Sequence, residues 1–210
     1  MMASLRMWRL AVLPGASAHI VCAIGSLRVI KALYRERPFE KLLIWARDLQ
    51  KAEHLRSRFA ETLPEIEIGV SRDIECTVHS ADVLITATMA RDPLVCGDWL
   101  REGQHITAVG ADDPTKCELD AKALNCARVF VDSRETAVAN GDIYRAIQQR
   151  AYAVGDISGE IGDVLLGKNA GRTSNREITI AKLVGLGAQD LVAAERALEL
   201  LDLPRQAETP

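Results

Sequence analysis

Residues 41–60, KLLIWARDLQKAEHLRSRFA, change period halfway along. Leu42, Leu43, Ile44 and Trp45 form an uncharged run of the kind found in a strand buried on both faces. From 48 to 60 the apolar positions Leu49, Ala52, Leu55 and Phe59 fall at helical spacing. A strand running straight into a helix is half of a βαβ unit, and the alternation continues downstream. A second short run at 66–70 is followed by 73–79 and then by 83–87 (VLITA), β-rich and uncharged, and apolar runs recur at 105–109 and 129–131. Short apolar strands alternating with helices predict an α/β fold, a Rossmann-like doubly wound parallel sheet. Such sheets bind ligands where strands end at their carboxyl edge, which directs attention to Ala46-Arg47, to 86–89 and to 110–116.

Past Asp132 the pattern becomes mostly helical. Helices are expected over 135–149 and 157–166, a short apolar run over 178–180 and a long helix over 188–201, with a polar tail after Leu203. A chain of 210 residues can bury one α/β domain plus a tail. The expected division is a nucleotide-binding domain over 1–155 and a C-terminal return segment over 156–210.

Composition excludes several classes of function. Lys+Arg 26 against Asp+Glu 29 leaves a formal charge of -3, and aromatic residues make up 4%, so neither a phosphate-binding footprint nor stacking platforms for nucleic acid are present. Five cysteines, an odd number without C-x-x-C spacing, fit neither a disulfide framework nor a zinc cage, and suit a reducing, cytoplasmic setting. The four histidines are dispersed, so no metal is expected. Arg6 and Arg9 before 10–13, with Ala16-Ser17-Ala18 behind, imitate a secretory signal. Pro14 interrupts the apolar run after four residues, and neither export nor a membrane span is expected.

A dinucleotide site needs glycines after its first strand, because the backbone there must approach the pyrophosphate at a helix N-terminus. Before Lys41 the glycines are Gly15 and Gly25, and no G-x-G-x-x-G passes through them. Other segments are more telling: Gly110-Ala111-Asp112-Asp113-Pro114-Thr115-Lys116, then 160–165 (EIGDVL), 171–174 (GRTS), 177–180 (EITI) and 187–190 (GAQD). This succession resembles the ornithine cyclodeaminase/μ-crystallin family in unbroken order from Leu33 to Ala194, and it also resembles the ectoine-utilisation and archaeal alanine dehydrogenase relatives.

The resemblance implies a Rossmann domain binding NAD or NADP. It also implies a substrate domain built mainly from preceding chain and closed by the C-terminal helix, and a homodimer. The chemistry implied is deaminating cyclisation of ornithine, reduction of a cyclic imine or oxidation of a small amino acid. Asp112 matches the loop aspartate that handles protons beside the nicotinamide, a task suited to a carboxylate, and Lys116 matches the lysine that closes that loop. Thr86, Ala87 and Thr88, and the strand end Val109, Gly110 and Ala111, match segments lying along the cofactor. Read on the residues alone, Asp112 and Asp113 are also ordinary turn initiators before Pro114.

Arg47 can be read without the family. It stands at the end of the second strand, where NAD-binding proteins usually carry an acid and NADP-binding ones an Arg; position 46 is Ala, so NADP is expected over NAD, with Asp48 leaving NAD open. Three departures stand against this pattern. Residues 14–30 do not reproduce the glycine-rich turn, although 10–13 look like the first strand of a degenerate βα unit within 10–36, so weakened cofactor binding is expected. The substrate domain expected before that strand is absent from these residues. Leu183 stands where a polar Ser is usual. The alternative reading is a catalytically inactive truncated remnant or binding protein; in either case apolar surface is expected where the substrate domain would pack, along Leu191, Ala194, Leu198 and Leu201.

Overall fold

The computed structural model describes residues 20–24, 30, 33–35 and 38–200. Eight strands form one sheet: β1 Ile20–Ile24, β2 Lys41–Trp45, β3 Glu67–Ser71, β4 Val83–Thr86, β5 His105–Ala108, β6 Arg128–Val131, β7 Ile157–Glu160 and β8 Thr179–Lys182. Their order is β3-β2-β1-β4-β5-β8-β6-β7, and every pairing is parallel. The expected α/β Rossmann-like class is the class observed. Helices α1 Leu49–Thr62, α2 Ile74–Ser80, α3 Ala121–Asn125, α4 Arg134–Ala139, α5 Gly141–Gln148, α6 Ile161–Leu165 and α7 Gly187–Leu200 connect or follow the strands.

Local chemistry explains the elements that were legible. The Asp48 carboxylate caps α1 by accepting from the backbone N–H groups of Gln50 (3.0 Å) and Lys51 (3.4 Å). Ala52 and Phe59 form the buried face of that helix. All four residues of β4, of β5 and of β8 are buried, as central strands covered on both faces must be. One apolar cluster gathers Leu84, Ile106, Val129 and Ile180 beneath α2, α3 and α5; another gathers Leu42, Ile44, Ile85 and Phe59.

Four expectations are corrected or displaced. Residues 10–13 lie outside the described residues, and the first Rossmann position, between β2 and β4, is filled by β1, in register with Lys41 through Ile20 and with Val83 through Val21. The helix expected over 135–149 is two helices, because Gly141 adopts φ +65 and brings its backbone against the Ala111 carbonyl, where a Cβ would collide. The helix expected over 157–166 begins as a strand. Ile157 and Gly159 are buried while Ser158 and Glu160 are half-buried, a two-residue period, and Gly159 leaves room for the Asn169 side chain. Because β7 and β8 belong to the sheet, the sheet also runs across the division expected at 155/156. β8 inserts between β5 and β6, and α7 follows it with Leu191 at 62% and Leu198 at 50% exposure. Leu201 lies outside the described residues.

At the amino end of β5 the buried His105 imidazole is bonded through Nδ1 to the Thr179 hydroxyl (2.8 Å) and through Nε2 to the Thr107 hydroxyl (3.2 Å). Burial, aided by the neighbouring Arg172 guanidinium, lowers its pKa from 6.5 to about 3. A lowered histidine pKa means that the unfolded chain takes up a proton first on acidification. The folded state therefore loses stability as pH falls from about 6.5 towards 3, by up to about 1.4 kcal/mol per pH unit from this residue. A His105→Gln variant is expected to show a flatter dependence over that window, measured as denaturant midpoints between pH 4 and 7. Parallel slopes in the two proteins would exclude His105 as the cause.

Among the described residues no helix is long and apolar enough to cross a membrane.

Candidate functional site

The carboxyl edge of the sheet collects the segments singled out in the sequence. Thr86 of β4 is in register with Ala108 of β5, and the Val109 N–H donates to the Thr86 carbonyl (2.8 Å), so 86–89 and 109–116 leave adjacent strands at the same edge. Beside them, between the ends of β2 and β4, lies a cleft of about 280 Å³ lined by Trp45, Arg47, Asp48, Lys51, Thr88 and Met89 among others. Arg47 is exposed and, among the described residues, has no ion-pair partner. Lys51 adds a second cation, 4.0 Å from Asp48 Oδ2, while Asp48 Oδ1 caps α1. The cleft thus presents Arg47 as a cation without an ion pair among the described residues and Asp48 as its carboxylate.

The loop after β5 assigns different tasks to its two aspartates. Asp113 builds the turn: its Oδ1 accepts from the Thr115 N–H (2.7 Å), the Thr115 hydroxyl (2.7 Å) and the Lys116 N–H (3.2 Å), and these bonds, with Lys116 nearby, hold its carboxyl below the ordinary value. Asp112 takes no part in the turn. Its half-exposed carboxylate accepts from the Lys116 ammonium at 2.5 Å, a bond that raises the Lys116 pKa, and Lys116 also lies 3.5 Å from Asp113. Asp112 therefore offers one oxygen held by a cation and another turned to no protein donor among the described residues.

Three buried residues organise this edge, and none was singled out in the sequence. Glu118, fully buried, accepts through Oε2 from the Thr86 hydroxyl (2.8 Å) and the Gly110 N–H (2.8 Å), and through Oε1 from the Thr88 N–H (2.6 Å) and the Thr88 hydroxyl (2.8 Å). The hydroxyls of Thr86 and Thr88 are thus turned towards Glu118; Thr86 is fully buried, and the half-buried Ala87 and Thr88 present the accessible surface. Asp142 Oδ1 accepts from the N–H groups of Glu118 (2.6 Å) and Leu119 (2.9 Å), and its Oδ2 lies 3.0 Å from the buried Lys182 ammonium. Lys182 in turn donates to the Ala111 carbonyl (2.7 Å). A readable signal was Lys182, a lone charge in the otherwise uncharged run 178–184, whereas no local pattern sets Glu118 or Asp142 apart.

Among the described residues no group of three or more His, Cys, Asp or Glu side chains is placed to hold a metal. A dinucleotide fits better. The edge supplies a cleft with cationic walls, and Gly110 lies so close to Thr88 and Glu118 that a Cβ could not be accommodated. The turn after β1, where a pyrophosphate grip belongs, falls outside the described residues.

Comparison with known proteins agrees with this geometry. A cyclodeaminase of Sinorhizobium fredii is 37% identical over 171 residues, which cover 81% of this chain and 51% of that protein. Among solved structures, the Δ1-pyrroline-2-carboxylate reductase of Thermococcus litoralis in complex with NADH and L-proline superposes with a TM-score of 0.86 at 30% identity, covering 94% of this chain and 63% of that one. An archaeal alanine dehydrogenase dimer with bound NAD gives 0.86 at 29% identity, covering 100% and 65%. The chain spans about half the length of the curated relatives it matches. The model of the ornithine cyclodeaminase/mu-crystallin family matches residues 13–201, and with the parallel sheet and the Asp112 loop it leads to one conclusion: this chain belongs to that family.

Proposed function

We propose that this chain is the nucleotide-binding part of an NADP-dependent enzyme that reduces a small cyclic imino acid or cyclises an amino acid with loss of ammonia. The observation that carries the reading is the split between the two aspartates: Asp113 is consumed by the turn, leaving Asp112 beside Lys116 at the ligand-binding edge. A bound nicotinamide supplies hydride transfer. Asp112 holds and moves the proton at its carboxylate, accepting one from water or an amine and returning it, while Lys116 steadies the ionised carboxylate between transfers. Backbone at Ala87, Thr88, Val109, Gly110 and Ala111 would form the wall that holds the cofactor. The reductase and cyclodeaminase relatives favour an active enzyme over the inactive alternative. Residues beyond β8, notably α7 with exposed Leu191 and Leu198, are proposed to contribute to a substrate and dimerisation domain.

For the nucleotide, Arg47 favours the 2′-phosphate, because a guanidinium fork matches a phosphate and the position before it at the end of β2 is Ala46, which offers no carboxylate to the ribose. The solved relatives named above hold NADH and NAD, so the NADP reading rests on Arg47 and Ala46 of this chain and is tested there. Arg47→Ala is expected to weaken NADPH binding roughly 10- to 100-fold, the worth of a charged hydrogen bond, while changing NADH binding less than about threefold. Fluorescence titration with both nucleotides reads this directly. Equal loss for the two, or none, would count against NADP.

A further inference from the structure

We propose that Glu118 is a positioning residue that joins the cofactor wall after β4 and the Asp112 loop after β5 into one unit, with the Asp142–Lys182 pair bracing that unit from behind. The inference rests on the cofactor reading above for its purpose, and on geometry alone for its mechanics.

Parallel strands lose their ladder partners where they end, so the two segments that leave β4 and β5 have N–H groups and hydroxyls to satisfy without water's help. Glu118 meets this need from a place in the chain beyond both. Its Oε2 bridges the strands, taking the Thr86 hydroxyl from one and the Gly110 N–H from the other, while its Oε1 takes both donors of Thr88. The separation of the two segments is therefore set by the width of one carboxylate. Gly110 presses against Thr88 and Glu118 with no room for a Cβ, which removes any slack in the joint.

A buried carboxylate without a cation in contact is an expensive device for mere packing, since an apolar side chain would fill the space without the desolvation cost. Four donors converging on it make it worth retaining where their mutual placement matters. Behind it, Asp142 fixes the Glu118 backbone through its N–H and pairs with Lys182, whose ammonium holds the Ala111 carbonyl next to Asp112. Gly141 and Arg145 of α5 complete the brace: the Gly141 N–H donates to the Asp113 carbonyl (3.0 Å) and the Arg145 guanidinium to the Thr115 carbonyl (3.2 Å). The Asp112 loop is thereby tied to Glu118 directly at Gly110 and, at Asp113 and Thr115, to α5, whose Asp142 holds the Glu118 backbone.

The test is Glu118→Gln, which keeps shape and volume but turns an NH2 group towards two of the four donors. Glu177→Gln serves as control, since Glu177 also gathers several donors, the N–H and hydroxyl of Thr173 and the Arg128 guanidinium, but stands at the amino end of β8. Amide hydrogen exchange is expected to rise in Glu118→Gln at 86–90 and at 109–116 together, with the remaining sheet protected as in wild type, and to leave both segments unchanged in Glu177→Gln. Dinucleotide affinity is expected to fall roughly 10- to 100-fold in the first variant and less than about twofold in the second. Exchange that rises at one segment only, or evenly across the sheet, would overturn the proposal, as would unchanged affinity in a protein whose wild type binds. A wild type that binds neither NADPH nor NADH defeats the cofactor reading instead, and the exchange pattern still decides whether Glu118 joins the two segments.

Discussion

Replacing Lys182 with Met is expected to remove about 3–5 kcal/mol of stability, the range observed when one partner of a buried ion pair is deleted. The size follows from what stays behind. Asp142 is 1% exposed, and without the ammonium 3.0 Å away its charge has no counterion in an interior that solvates charge poorly. The Ala111 carbonyl loses its donor as well. Against a total of roughly 5–15 kcal/mol for a typical domain, such a loss lowers the melting temperature by about 6–20 °C at this size. The partner substitution Asp142→Asn tests the cause. It keeps an acceptor for the Glu118 and Leu119 N–H groups while discharging the side chain, so the double variant Lys182→Met/Asp142→Asn is expected to recover at least about 1–2 kcal/mol relative to Lys182→Met. Urea midpoints on the four proteins of this cycle give the coupling. A double variant no more stable than the Lys182→Met single would show that the uncompensated carboxylate is not the source of the loss.

The second large effect is expected in chemistry rather than stability. Asp112→Asn should leave the fold unchanged within about 0.5 kcal/mol, because the side chain is half-exposed and builds no turn, yet lower turnover by roughly 10²–10⁴-fold, the usual contribution of a positioned acid–base group. An amide retains the shape and the contact with Lys116 but cannot carry a proton between water and an amine. Two assays bear on the proposed reactions: imine reduction followed at the NAD(P)H absorbance, and ammonia release from ornithine. Dinucleotide affinity should remain within about threefold of wild type, separating loss of proton transfer from loss of binding. Turnover in the variant within a factor of three of wild type would remove Asp112 from the mechanism. Absence of turnover in wild type with dinucleotide still bound would leave the chain as the non-catalytic binding protein of the alternative reading.

The residues that decided the fold class act locally, which is why they were readable in one dimension. The period change at Asp48 is visible because the run Leu42–Trp45 before it has no polar position and the helix after it has nine in fourteen, and Asp48 caps the very helix whose start it marks. The uncharged runs that became β4 and β5 are buried along their whole length. The loop 110–116 was also legible, including the turn-forming option that proved to belong to Asp113.

The misread elements share one feature, which is that a distant neighbour decided them. Residues 157–160 satisfy a helical pattern when read with 161–165, yet pair with β6, whose exposed flank offers more backbone hydrogen bonds than the first turn of an isolated helix. The Gly141 break is imposed by the Ala111 carbonyl, 30 residues earlier in the chain by numbering and in direct contact in space.

The sequence by itself therefore determined which stretches are strands and helices over most of the chain, the parallel class of the sheet and the loop that carries Asp112, because periodicity and turn chemistry involve residues a few positions apart. Tertiary structure alone decided the placement of β8 between β5 and β6 and the convergence of Glu118, Asp142 and Lys182 on the site. Their bonds join residues separated by 32 positions for Thr86 and Glu118, by 24 for Glu118 and Asp142, and by 71 for Ala111 and Lys182. A buried carboxylate such as Glu118 or Asp142 carries no local mark in sequence, because what makes it tolerable is the set of partners that only the folded chain brings within hydrogen-bonding distance.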